Sequence, residues 1–164
     1  MRNSRSSPQP ERFDASVAAP FGAVRVVSQG GRLVGIEFLP PGAPLGEPVD
    51  ALAREACRQI AAYLRDPRFR FELPLDVRGS VHRQRVWTAI AAIPTGTTRS
   101  YGEIARDIGS SPRAVGAACG ANPFPLVIPC HRVVAASGAI GGFMNATRGF
   151  PLGVKLWLLD HERR

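Results

Sequence analysis

At 164 residues, with 45% hydrophobic content and a mean hydropathy of −0.04, the chain has room for one large domain or two small lobes, and its balance is that of a soluble globular protein. No run approaches the roughly 18 to 20 consecutive apolar residues of a membrane span, and three sparse cysteines without a CxxC pair argue against a disulfide framework or a zinc site. The net charge of +8 is uneven: 10 arginines meet 9 acidic residues up to Asp76, whereas 10 arginines and Lys155 meet 4 acidic residues from Val77 onward, so the halves carry +1 and +7.

Residues 1–12 are polar, rich in Ser, Arg and Pro, and lack the apolar core of a secretion signal; they read as a disordered leader. Residues 21–28 (FGAVRVVS) and 32–39 (RLVGIEFL) are β-rich runs around Gln29-Gly30-Gly31, which predicts a hairpin. After a Pro/Gly loop over 40–48, residues 49–64 place Leu52, Ala53, Ala56, Ile60, Tyr63 and Leu64 at helical spacing, and Asp66-Pro67 ends the helix. Cys57 lies within it and reads as packing rather than chemistry. Residues 69–77 alternate as a third strand would, at an edge because of Pro74. The expectation is a small α/β lobe with an antiparallel sheet over residues 13–78.

Residues 81–93 read as a helix with Val86, Ile90 and Ile93 on one face, broken by Pro94-Thr95-Gly96. Ser100 can cap a short helix over 101–108, with Glu103 as its capping-box partner. Gly109-Ser110-Ser111 is a turn, and Pro112 suits the first turn of the next helix, 113–122. Helix, short Gly-containing turn, helix is the helix-turn-helix pattern. The second of these helices is almost all Ala and Gly, so Ala114, Gly116 and Ala117 offer little for a core but would fit a space as narrow as the minor groove. Arg113 at its start could replace a displaced base in the stack. A basic half of the chain points the same way, to a polyanion such as nucleic acid, unless arginine richness merely reflects genome composition.

The apolar run 124–128 leads into Ile128-Pro129-Cys130-His131-Arg132-Val133. A thiol becomes a strong nucleophile at neutral pH when something lowers its pKa, and histidine can do so. Adjacent residues of an extended segment point to opposite faces. His131 can therefore reach the sulfur only through a tight turn or a bridging water. Residues 137–143 form a glycine-rich loop able to bring backbone N–H groups close to a ligand, without the Gly-Lys-Ser/Thr of a phosphate loop. A terminal helix over 152–161 carries Lys155, Trp157 and Leu158, with Glu162 near its end; His82 and His161 read as surface residues.

Pro-Cys-His-Arg-Val, preceded by Arg-Ala-Val-Gly, Asn-Pro and Tyr-Gly-Glu-Ile-Ala at these spacings and followed by Lys…Trp-Leu-Leu…His-Glu, resembles the O6-alkylguanine-DNA alkyltransferases over about residues 80–162. Over the first lobe the likeness rests on the order of elements. The resemblance implies an α+β fold, with a mostly helical, winged-helix-like second lobe over 79–164 carrying the helix-turn-helix. It implies a cytoplasmic, monomeric DNA-repair enzyme that binds double-stranded DNA in the minor groove and flips an O6-alkylguanine. One alkyl group then passes irreversibly to Cys130, with no cofactor and no metal.

It further implies that His131 deprotonates Cys130 through a water, that Glu162 orients His131, and that Asn122 braces the turn. Tyr101, Val133, the pocket-loop residues Phe143 and Met144, and Lys155 would surround the base, although Lys155 could equally be a solvated helix residue. Arg113, Ala114, Gly116, Ala117 and Arg132 would face DNA. The chain departs from the family at His82-Arg83, in the shorter turn before Arg113, and at Phe143-Met144 with an apparent insertion over 145–151. The alternative from another class is a lesion-binding protein that performs no transfer; such proteins lack the acceptor cysteine.

Overall fold

The structure is a computed structural model that describes residues 11–164, so the expected leader lies outside the described residues except for its last two positions. Strands β1 (Arg12–Ala19), β2 (Gly22–Gln29) and β3 (Arg32–Leu39) form an antiparallel sheet in that order. The β2–β3 hairpin is the expected one. Strand β1 was not anticipated, and its first residue, Arg12, corrects the leader boundary. Its register runs unbroken from Arg12 opposite Gln29 to Ala19 opposite Gly22. Its small residues, Ala15, Ala18 and Ala19, gave no hydrophobic alternation to read.

Helix α1 (Ala51–Arg65) lays Ala53, Ala56, Ile60 and Tyr63 against the sheet, a buried stripe at helical spacing. Asp50 accepts the Ala53 N–H at 2.6 Å and also the Ser28 hydroxyl at 3.3 Å, which ties the start of the helix to the central strand. The strand expected over 69–77 is replaced by an extended segment with one bridge, Leu33 to Leu75. Around that bridge Pro74 O accepts Leu33 N–H and Asp76 N–H donates to Leu33 O, both at 2.8 Å, and further back the buried Gln59 amide accepts from Glu72 N–H and donates to Glu72 O, both at 2.9 Å. Pro74, lacking an N–H, cannot extend a ladder.

Helix α2 (Val81–Ala91) follows, capped by Ser80 and burying Val86, Trp87 and Ile90. Next come β4 (Arg99–Ser100), α3 (Tyr101–Ile108) and α4 (Pro112–Gly120). Ser100 accepts the Glu103 N–H at 3.1 Å, while the Glu103 carboxylate lies 3.6 Å from Arg99 and so takes an ion pair rather than the return half of a capping box. Gly109 closes α3 in the left-handed conformation, φ 69°, where a Cβ would be strained. Ser111 caps α4, with Pro112 in its first turn. Trp87 donates from its indole to Ala118 O at 2.9 Å, a close approach that the small residues of α4 allow.

After Cys130–Arg132, a single 3-10 turn, β5 (Val133–Val134) pairs in parallel with β4. Apart from one Phe143–Ala146 bridge, that two-residue ladder is the only strand pairing after α2 among the described residues; it is not the antiparallel hairpin of a wing. Helix α5 (Phe150–Glu162) completes the fold, two residues longer at its start than expected. It absorbs the end of the apparent insertion. One apolar core runs from Val24 and Leu33 through Ile60, Val86, Ile104 and Val115 to Leu158. Each such fully buried side chain stabilises the fold by about 1.5–3 kcal/mol.

His161, expected at the surface, is interior, and for Lys155 the solvated alternative falls away. His161 stacks on Trp157 with ring centroids 4.6 Å apart and bonds through Nε2 to Tyr63 O at 2.8 Å. Lys155 is fully buried.

Candidate active site

The tight turn that the Cys130-His131 pair requires is present. Cys130 N–H donates back to Ile128 O at 2.8 Å around Pro129, whose φ −80° and ψ 65° are those of an inverse γ-turn. Arg132 N–H then donates to Pro129 O at 2.9 Å. Asn122, just beyond α4, braces this bend from inside. Its Nδ2 donates to Ile128 O at 2.8 Å and its Oδ1 accepts Phe124 N–H at 2.9 Å. Leu126, buried with φ 77°, shows how tightly the segment between them is wound.

Behind the turn lies a buried polar cluster. His131, 0% exposed, donates from Nε2 to Glu162 Oε1 at 2.7 Å, while its Nδ1 has no hydrogen-bond partner among the described residues. Burial pushes the imidazole pKa below its ordinary value, against the pull of Glu162. Burial alone would raise the Glu162 carboxyl, but bonds from His131 and Arg132 hold it well below the usual range. Arg132, expected at the DNA surface, corrects that expectation. Its guanidinium turns inward to Glu162, with Nε to Oε2 and Nη2 to Oε1 both at 2.9 Å, and Nη1 donates to Ile93 O at 2.7 Å. A planar fork facing a buried carboxylate is the reason.

Cys130 faces a cavity of about 440 Å³. Tyr101, Gly116, Cys119 and Gly120 line one side and residues 142–147 the other, so Phe143 and Met144 form part of the wall. Burial pushes the Cys130 thiol up to about 11, with Asn122 and Lys155 pulling it down. The resting sulfur is therefore protonated. Burial likewise raises Tyr101 to about 12, which keeps its hydroxyl a donor; it reaches Gly142 O at 3.3 Å. Gly141, φ 71°, packs so closely on that ring that a Cβ would sit 3.1 Å from Cε2.

Lys155 reaches the back of the site from α5, donating to Val133 O at 2.7 Å and Gly142 O at 2.8 Å. Val133 itself is fully buried, its carbonyl held by this lysine. Met144 and Asn145, φ 49° and 62°, form a two-residue left-handed turn closed by Phe143 and Ala146, and Asn145 Nδ2 latches it to Gly120 O at 3.1 Å. Arg113 and Ala117 are exposed on α4, and Ala114 and Gly116 are half-buried, Gly116 on the cavity.

Reading by sequence missed Tyr63, Cys119 and Asn145. For Tyr63 a signal existed: a hydroxyl in the middle of an apolar helical stripe needs a partner. Among the described residues, no cluster of three or more His, Cys, Asp or Glu side chains could hold a metal ion.

The fold and this site define a class: mixed α/β proteins with a buried thiol beside an imidazole–carboxylate pair, under a helix pair that borders the cavity. The family model for the 6-O-methylguanine DNA methyltransferase DNA binding domain matches residues 81–164, and the chain belongs to that family. It is 48% identical over 111 residues to a methylated-DNA–protein-cysteine methyltransferase of Mycolicibacterium paratuberculosis, a match spanning 66% of this chain but only 64% of that relative. It is 36% identical to its Mycobacterium leprae namesake over 90% of each chain. A crystal structure of the Mycobacterium tuberculosis protein OGT in complex with DNA superposes with a TM-score of 0.77, at 35% identity and 92% coverage of each chain.

Proposed function

We propose that this chain repairs DNA by direct reversal, moving an alkyl group irreversibly from O6 of guanine in double-stranded DNA to Cys130. The observation that carries the reading is the placement of the Cys130 thiol on the cavity, next to a buried imidazole. One nitrogen of that imidazole is tied to Glu162 and the other is unpartnered. That arrangement sets the tautomer: Nε2–H points at the carboxylate, leaving Nδ1 as the proton acceptor. His131 takes the thiol proton through a bridging water, and Glu162 stabilises the imidazolium that forms.

Sulfur then attacks the alkyl carbon, the C–O6 bond breaks, and guanine leaves with the electron pair. Tyr101, a half-buried donor on the cavity wall, is placed to meet the charge that develops on the base. The product thioether is a poor leaving group, so each molecule turns over once. A base inside a stacked duplex cannot meet a thiol at the floor of a cavity, so the nucleotide is flipped out. Helix α4, with Arg113 exposed at its start and small residues along it, is the element we assign to the minor groove.

We divide the chain near Gly79 into an amino-terminal α/β lobe and a carboxy-terminal acceptor lobe. Three free cysteines suit a reducing cytoplasm. The test is intact-protein mass spectrometry after incubation with an O6-methylguanine duplex, followed by peptide mapping. A gain of one methyl at Cys130 is expected. Tight binding without a mass change would instead make the chain a lesion-binding protein.

A further inference from the structure

Glu162 is shared by the two lobes. Its Oε1 accepts the Tyr63 hydroxyl at 2.7 Å, from α1, as well as His131 Nε2 at 2.7 Å and Arg132 Nη2 at 2.9 Å. Three donors on one oxygen share its lone pairs, so the hydroxyl weakens what His131 receives. Tyr63 is 1% exposed and held on both sides, with ring centroids 5.5 Å from Phe71 and 5.4 Å from His161. A phenylalanine would fill the same space. The hydroxyl therefore calls for a reason beyond packing.

We propose that Tyr63 is a positioning residue for alkyl transfer: from the amino-terminal lobe its hydroxyl holds Glu162 Oε1 and limits the charge that carboxylate presents to His131, leaving the imidazole neutral at rest. The inference rests on the alkyl-transfer reading above and deepens it. Tyr63 touches neither base nor sulfur, and the proton still passes from Cys130 to His131 Nδ1.

The charged and titratable groups around the pair are few. Arg132 comes from the acceptor turn, Lys155 and His161 from α5, Cys130 from beside the imidazole and Tyr63 from α1. Burial, Arg132 and Lys155 disfavour a charged His131, and Glu162 opposes them. Arg132 grips both carboxylate oxygens. Removing the tyrosine hydroxyl therefore leaves Glu162 oriented and changes mainly the charge that His131 feels.

The experiment compares wild type with Tyr63→Phe in two measurements. One is the single-turnover rate on an O6-methylguanine duplex between about pH 6 and about pH 8; the other is the His131 imidazole titration followed by NMR. In Tyr63→Phe the titration midpoint rises by about one unit, a tenfold gain in proton affinity. The rate falls at the acid end, by less than that tenfold because the wild-type imidazole is already largely neutral there, and recovers at the alkaline end, with duplex affinity unchanged. In a Glu162→Gln background the difference between tyrosine and phenylalanine disappears. An unmoved midpoint, with a rate that is unchanged or lower by the same factor at every pH, would overturn the proposal. The titration needs no substrate. A wild-type protein that fails to alkylate Cys130 would thus refute the transfer reading and leave the Tyr63 result legible.

Discussion

Asn122 and Ile128 are joined side chain to backbone: the amide Nδ2 donates to the carbonyl that also receives the Cys130 N–H. Two donors on one carbonyl set the direction in which the thiol leaves the turn. Asn122→Ala strands the buried Phe124 N–H and strips Ile128 O of one donor. Each group left unsatisfied costs about 1–3 kcal/mol. Urea denaturation should show that loss, and the single-turnover rate should fall further than instability explains, because the sulfur is no longer aimed at the cavity. A rate that matches wild type while the protein is folded would separate Asn122 from the chemistry.

Arg132 offers the opposite contrast. Its guanidinium serves Glu162 rather than DNA, so Arg132→Ala leaves a buried carboxylate short of its partner, at a cost of about 3–5 kcal/mol. Affinity for undamaged duplex should be unaltered while thermal stability drops. Arg132→Lys should restore little, since an ammonium cannot reproduce the two-pronged grip. Weaker duplex binding with stability intact would contradict this assignment.

The misplacement of Arg132 shows where the amino-acid sequence stops speaking. Helices α3 and α4 were legible because Ser100, Gly109, Ser111 and Pro112 are local signals, each acting within a turn of its own position. Cys130, His131 and Glu162 were legible through the family pattern. Which way Arg132, Lys155 and His161 face depends on partners 39, 22 and 98 residues away, and no local periodicity encodes that. Strand β1 was hidden for a related reason. Its place in the sheet is set by pairing with β2, and its alanines carry no pattern of their own, with Ala15 buried and Ala18 exposed.

Acid should weaken the fold through Glu162. Its folded-state pKa lies below the ordinary carboxyl value of 4.5, so its contribution is fully present above that value and is lost as pH falls from there toward the folded value. Melting temperatures of wild type and Glu162→Gln, measured from neutral pH down to about pH 3, should show the gap between them closing as the carboxylate protonates. A gap that stays constant across this range would show that Glu162 does not carry the acid sensitivity.

The cavity wall at Met144-Asn145 should govern the size of the alkyl group. A Cβ on Gly120 would fall 1.9 Å from Asn145 Oδ1, so Gly120→Ala must push that side chain off its latch. The turn it holds contains Met144 at φ 49°, a conformation costing about 1–2 kcal/mol for a residue with a side chain, and it has reason to open once released. The ratio of transfer rates for O6-benzylguanine and O6-methylguanine duplexes should rise in the variant. An unchanged ratio would mean that the wall yields to bulky adducts without losing the latch.

The short β4–β5 ladder has a mechanical consequence. Ser100 caps α3 and pairs with Val134, while Arg99 pairs with Val133, the residue directly after the acceptor turn. The start of α3 and the acceptor turn are thus joined directly, strand to strand. On the reading proposed above, a duplex seated on α4 would meet the thiol at a preset depth, like a workpiece against a stop. On that reading, the travelling part of the reaction would be the nucleotide.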